Sequence, residues 1–174
     1  RGYKEPTGPI VILETTYGKI AIGLYQEEAP RSVENFLDYV RSEFYQNTIF
    51  HRVIDGFMIQ GGGYTRDLEE KETRPAIYNE ARNGLKNRRG TVAMARTDEI
   101  NSATSQFFIN IENNPTLDYR STTQRGFGYA VFGKVMRGMK VVDRIAKVQT
   151  EMKNGMQNVP TTPVVITDAY ILEK

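Results

Sequence analysis

Apolar segments in this chain are short, and turn residues separate them. Pro9 to Thr16 is rich in Ile, Val and Leu and reads as a strand. Thr16-Tyr17-Gly18-Lys19 is a turn. Lys19 to Tyr25 then alternates, with Ile20, Ile22 and Leu24 on one side and Ala21 and Gly23 on the other. Together they read as a hairpin. Strand-like segments recur at Thr91 to Ala95, Gln106 to Ile111, Ala130 to Val135 and Pro163 to Leu172, and two more flank Asp55-Gly56. Helical spacing occurs in two places. Pro30 and Ser32 mark a helix start, and Val33, Phe36, Leu37 and Val40 form an apolar stripe. After Gly138, Met139, Val142, Ile145 and Ala146 share one face. About eight strands with two helices imply an antiparallel barrel or sandwich, and pattern alone does not separate the two.

The 174 residues suffice for one domain with one core, residues 1–174, preceded by a polar lead-in over 1–8. The net charge of +2 gives no strong electrostatic case for nucleic acid or membrane binding. Arg82, Lys86, Arg88 and Arg89 form a local basic cluster, read as a solvated loop. With no cysteine and one histidine, neither a thiolate nor a histidine metal site is expected. No cofactor is expected either. No apolar run approaches the ~18 residues of a membrane span. Tyr64 to Arg89 is a long polar excursion without sustained period, and Thr150 to Thr162 reads as a loop.

The chemically richest stretch is Phe50-His51-Arg52-Val53-Ile54-Asp55-Gly56-Phe57-Met58-Ile59-Gln60-Gly61-Gly62. If extended, it sends Met58 and Gln60 to one face and Phe57 and Ile59 to the other. A bend at Asp55-Gly56 would bring Arg52 and Phe57 over one pocket. A Phe and Met floor suits a compact hydrocarbon ring. Arg52 is always charged and donates only. No nucleophile accompanies it, so the set binds and polarises. His51, between Phe50 and Arg52, reads as a hydrogen-bonded structural residue. An ion pair with Asp55 is the competing role for Arg52. The Gly61-Gly62-Gly63 run lacks the spacing and following helix of a phosphate loop, and close backbone packing accounts for it.

This stretch resembles the signature of the cyclophilins, the peptidyl-prolyl cis-trans isomerases. Ser105-Gln106-Phe107-Phe108-Ile109, Val131-Phe132-Gly133-Lys134-Val135 and Ala29-Pro30-Arg31-Ser32-Val33-Glu34-Asn35-Phe36 are similar to further cyclophilin segments. The matches come in family order and span nearly the whole chain. The resemblance implies a mainly β fold: a closed eight-stranded antiparallel β-barrel capped by two α-helices. It implies rotation about X-Pro bonds in exposed or unfolded segments. Arg52 takes the position of the donor to the proline nitrogen. Phe57, Met58, Phe108 and Leu117 match positions that hold the proline ring. Gln60 matches a residue that orients the substrate backbone, Gln106 lies in the matching second strand, and Ala95 matches a backbone contact. A non-catalytic module that binds proline peptides is the alternative.

Three departures from the common pattern stand out. Thr116 replaces a Trp that often precedes the residue matching Leu117, Tyr129 stands where many members have His, and Arg96 replaces the usual Asn. Tyr129 still offers a ring face and a hydroxyl. Loss of the Trp implies weak binding of the family inhibitor cyclosporin. Met94-Ala95-Arg96-Thr97 and Gly128-Tyr129-Ala130 resemble the bacterial periplasmic branch. That likeness, with Arg1 in place of an initiator methionine, leads to the expectation of an exported, periplasmic monomer, a cytoplasmic location being the alternative.

Overall fold

The computed structural model describes residues 3–172. Its strands are β1 (Ile10–Thr15), β2 (Gly18–Leu24), β3 (Thr48–Ile49), β4 (Arg52–Ile54), β5 (Met58–Gly61), β6 (Thr91–Met94), β7 (Phe107–Asn110), β8 (Val131–Arg137), β9 (Thr150–Lys153), β10 (Met156–Pro160) and β11 (Val165–Ile171). Two α-helices accompany them, α1 (Pro30–Arg41) and α2 (Met139–Ala146). Nine strands form one antiparallel sheet in the order β3-β11-β1-β2-β8-β6-β7-β5-β4. The sheet curls around the core, but no ladder joins its edge strands β3 and β4 among the described residues. The expected closed eight-stranded barrel is therefore corrected to an open, curled nine-stranded sheet. Only Phe50 and His51 separate β3 from β4, and they carry the chain from one edge of the sheet to the other without a turn that would fold the two strands into a hairpin.

Alternation decides which side chains enter the core. Ile20, Ile22 and Leu24 of β2 are buried in it, together with Val53, Ile59, Val92, Phe107 and Ile109. Phe36 from α1 meets Phe107 edge-to-face at 5.5 Å and Phe132 at 5.2 Å. Each fully buried ring of this kind contributes about 1.5–3 kcal/mol. Helix α1 covers β8 and β11, and α2 packs on β2, β4 and β5. The helical stripe Val33, Phe36, Leu37 and Val40 is buried as its spacing implied.

The start of α1 differs from the sequence expectation. Pro30 occupies the first turn, but Ser32 makes no local cap. Instead Glu80 caps the helix from a distant loop. Its carboxylate accepts from the Arg31 N–H at 3.1 Å, the Ser32 N–H at 2.8 Å and the Ser32 hydroxyl at 2.7 Å. A carboxylate at this end also meets the positive pole of the helix. A second correction concerns Thr150 to Thr162, read as a loop, which holds the β9–β10 hairpin. Its turn, Asn154-Gly155, has φ of 53° and 78°. Two successive positive values match a tight hairpin turn of the Asn-Gly kind.

Candidate active site

The same alternation that fills the core with Ile59 and Phe107 turns Met58, Gln60 and Phe108 to the opposite face of the sheet. In the ladders Arg52 lies opposite Gln60, Gln60 opposite Phe108, and Phe108 opposite Ala93. Directly opposed residues project to the same side, so these form a row across four strands. Phe108 and Ala93 of the row also belong to a second apolar cluster, with Tyr25, Met58, Leu85 and Val131. Phe57, Ala95, Leu117 and Tyr129 pack at its border. Phe57 belongs to no strand. The turn at Asp55-Gly56, where Gly56 has φ of 76°, carries it back over the row.

The result is a pocket of about 250 Å³ lined by Arg52, Phe57, Met58, Gln60, Ala95, Arg96, Phe108, Leu117 and Tyr129. Every residue expected to act on or hold the substrate lies there except Gln106, which lines an adjoining cavity with Gln60 and Ala95. Gln106 still reaches the row, because Gln60 donates through Nε2 to its Oε1 at 2.9 Å. A Cβ on Gly63 would sit 2.6 Å from the Gln106 side chain, so glycine there leaves room for that amide. Gln60 Oε1 in turn accepts from Arg52 Nη1 at 3.4 Å, a long bond. The Arg52 guanidinium is exposed and has no carboxylate partner among the described residues. Asp55, the alternative partner considered for Arg52, pairs instead with Lys147 at 3.6 Å.

His51 is buried and packs against the Tyr64 ring at a tilt of 47°, with centroids 4.5 Å apart. Its Nδ1 has no hydrogen-bond partner among the described residues, which corrects the expectation of a hydrogen-bonded residue. Burial, and then the neighbouring Arg52 charge, lower its pKa to about 4. It is neutral at pH 7 and does not line the pocket. The basic cluster is exposed, and its three arginines are engaged with neighbours. Arg82 lies over Tyr119 and Arg88 over Tyr3, while Arg89 pairs with Asp143 at 2.7 Å.

Three asparagines behind the pocket escaped the sequence reading. Asn110, fully buried, donates through Nδ2 to Asn87 Oδ1 at 3.0 Å and to Thr91 Oγ1 at 2.9 Å. Its Oδ1 accepts from Asn114 Nδ2 at 2.8 Å. Asn114 also holds the Phe57 carbonyl at 3.0 Å, and Asn87 holds those of Leu117 and Tyr129 at 3.1 and 3.3 Å. One amide chain thus ties three walls of the pocket to β7. The signal available in the sequence was Asn110 itself, a polar residue closing the apolar run Phe107-Phe108-Ile109.

A larger open groove of about 570 Å³ runs along α1, lined by Arg31, Glu34, Asp38 and Tyr78 among others. Its charged groups are engaged with their neighbours: Arg41 bridges Glu34 and Asp38, and Arg31 lies over Tyr78.

The model of the cyclophilin type peptidyl-prolyl cis-trans isomerase family matches residues 10–171. The chain belongs to that family. It is 56% identical over 172 residues to peptidyl-prolyl cis-trans isomerase A of Dickeya dadantii, covering 99% of this chain and 89% of the relative. It is 49% identical over 164 residues to isomerase B of Escherichia coli, covering 94% and 100%. A Cryptosporidium parvum cyclophilin-type isomerase, crystallised in the presence of the dipeptide Ala-Pro, superposes with a TM-score of 0.78 at 28% identity, covering 95% of this chain and 99% of that one. The chain is accordingly a peptidyl-prolyl cis-trans isomerase.

Proposed function

We propose that this cyclophilin rotates X-Pro bonds in the pocket between Arg52 and Tyr129, with Arg52 as the donor to the prolyl nitrogen. An X-Pro bond resists rotation by ~18–20 kcal/mol because amide resonance holds it planar. Uncatalysed exchange takes tens to hundreds of seconds, so turnover at ~10³ per second needs about 7 kcal/mol of selective stabilisation. Only interactions stronger with the twisted amide supply it. In the twisted state the prolyl nitrogen regains its lone pair and accepts a hydrogen bond. Phe57, Met58, Phe108 and Leu117 hold the ring, Gln60 and Gln106 orient the flanking backbone, and Ala95 offers a backbone contact.

One observation carries this reading. Of the two guanidiniums that line the pocket, Arg96 spends its nitrogens on backbone carbonyls, whereas Arg52 makes a single long bond. Arg52 alone has donors left for substrate. The substrates are flexible or unfolded proline-containing segments, and the protein acts on them as a monomer that assists folding. Its likeness to the periplasmic branch at Met94–Thr97 and Gly128–Ala130 supports an exported location, which fractionation of the source cells tests.

A client whose slow refolding phase is limited by X-Pro isomerisation tests the activity. Catalytic amounts should speed that phase and leave the end point unchanged. A need for stoichiometric protein would favour a non-catalytic binding module. Titration with an Ala-Pro peptide, followed by amide chemical shifts, tests the site. The largest changes should fall on Phe57, Gln60, Leu117 and Tyr129; an undisturbed pocket would refute the assignment.

A further inference from the structure

Arg96 is the pocket residue whose hydrogen bonds run away from the pocket. Its Nε donates to the Gly128 carbonyl at 2.9 Å, and Nη2 to that of Gln124 at 2.9 Å. Nη1 donates to the Thr97 carbonyl at 2.9 Å, with those of Asp98 and Glu99 at 3.4 Å. The guanidinium lies over the Tyr129 ring, 4.8 Å from its centroid. It borders the pocket and both flanking cavities, of about 270 and 150 Å³. One side chain therefore fastens two irregular loops, 95–104 and 118–129, to each other.

The fastening reaches the pocket wall through short links. Tyr129 meets Phe108 edge-to-face at 5.7 Å, and its N–H donates to the Leu117 carbonyl at 2.9 Å. Gly128, with φ of 81°, lies so close to Leu117 that an added Cβ would be 2.7 Å from the Leu117 carbonyl oxygen. Backbone packed this tightly moves together. Shifting Gly128 therefore shifts Leu117 and Tyr129, two of the pocket's walls.

We propose that Arg96 is a positioning residue that clamps the two loops and so fixes Tyr129 and Leu117 against the proline ring. The inference rests on the pocket being the proline site. The clamp acts on walls that hold the ring in the planar and twisted states alike, so its loss weakens both. That separates it from Arg52, whose contact is assigned to the twisted state. With its nitrogens spent on carbonyls, Arg96 is not a receptor for an acidic residue of the substrate.

The test compares Arg96→Gln, Arg96→Lys and Leu117→Ala with the parent on Glu-Pro, Ala-Pro and Lys-Pro peptides. Arg96→Gln should raise KM about 5-fold, with kcat within about 2-fold and the same factor for all three peptides. Arg96→Lys keeps the charge but loses the planar fork, so it should not rescue. Adding Tyr129→Leu to Arg96→Gln should cost less than the sum of the two. Full rescue by lysine, or a loss confined to Glu-Pro, would make Arg96 a charge receptor and overturn the clamp. A lowered melting temperature with unchanged KM would reduce Arg96 to a structural residue and overturn it equally. If Leu117→Ala leaves KM unchanged, the pocket assignment itself fails, and the inference fails with it.

Discussion

Replacing Arg52 by alanine removes the one donor assigned to the prolyl nitrogen. The fold should tolerate this: the side chain is exposed and makes only a 3.4 Å contact to Gln60, so stability should change by no more than about 0.5 kcal/mol. Affinity should also survive, because the ring is assigned to Phe57, Met58, Phe108 and Leu117. The loss then falls on the rate. A hydrogen bond from a charged donor is worth about 1.5–3 kcal/mol net, which corresponds to a fall in kcat of between about 10-fold and about 150-fold. Arg52→Lys separates charge from geometry. It keeps the cation, loses the planar fork, and should lose most of the same factor. Exchange measurements on an X-Pro peptide give the rate, and a titration gives Kd. Activity near the parent in both variants would refute the donor and leave the pocket to work by desolvation alone. A large rise in Kd with unchanged kcat would instead make Arg52 a ground-state contact.

Acid should unfold this protein partly through His51. The unfolded imidazole titrates near 6.5 and the folded one near 4, so the native state disfavours the proton. Stability is full above about pH 6.5 and falls as pH drops towards 4, by up to about 3 kcal/mol. Subtracting the curve of His51→Gln cancels overlapping carboxylate titrations; identical curves would refute the assignment. Asn110→Leu should cost about 2–4 kcal/mol in urea unfolding, since it strands Asn87 Oδ1 and cuts the link to Asn114. A change under 0.5 kcal/mol would show that the amide chain carries no load. Thr116, exposed beside Leu117 in the turn Pro115–Leu117, offers no indole, so cyclosporin should bind weakly and Thr116→Trp should tighten it. Tight binding by the parent would refute that.

Local pattern revealed the elements whose side chains alternate or keep helical spacing. The β1–β2 hairpin, both helices and the paired strands around Asp55-Gly56 stand where the residues implied. What escaped notice lacks such a pattern. Strand β3 has two residues, too few for any period. The β9–β10 hairpin has only two buried positions, Val159 and Pro160, so apolar alternation is missing; its Asn154-Gly155 turn was the readable clue. Glu80 caps a helix 48 residues away, and no local rule reaches that far. The pocket shows the same divide. Arg52 and the apolar floor were visible as a set of residue types. Asn87, Asn110 and Asn114 were not, because their work depends on which carbonyls the fold brings to them.

The order of strands also bears on how the molecule forms. The hairpins that carry the pocket, β4–β5 and β6–β7, pair residues close in sequence. The ladder between β1 and β11 joins Val11 to Ile171, and β3 also finds its sheet partner in β11. Such distant pairing carries a large loop-closure entropy before its contacts repay it. On a ribosome, the segments that line the pocket emerge well before the strand that completes the sheet around their core. Isomerase activity should therefore lag behind formation of the pocket hairpins and appear together with docking of β11.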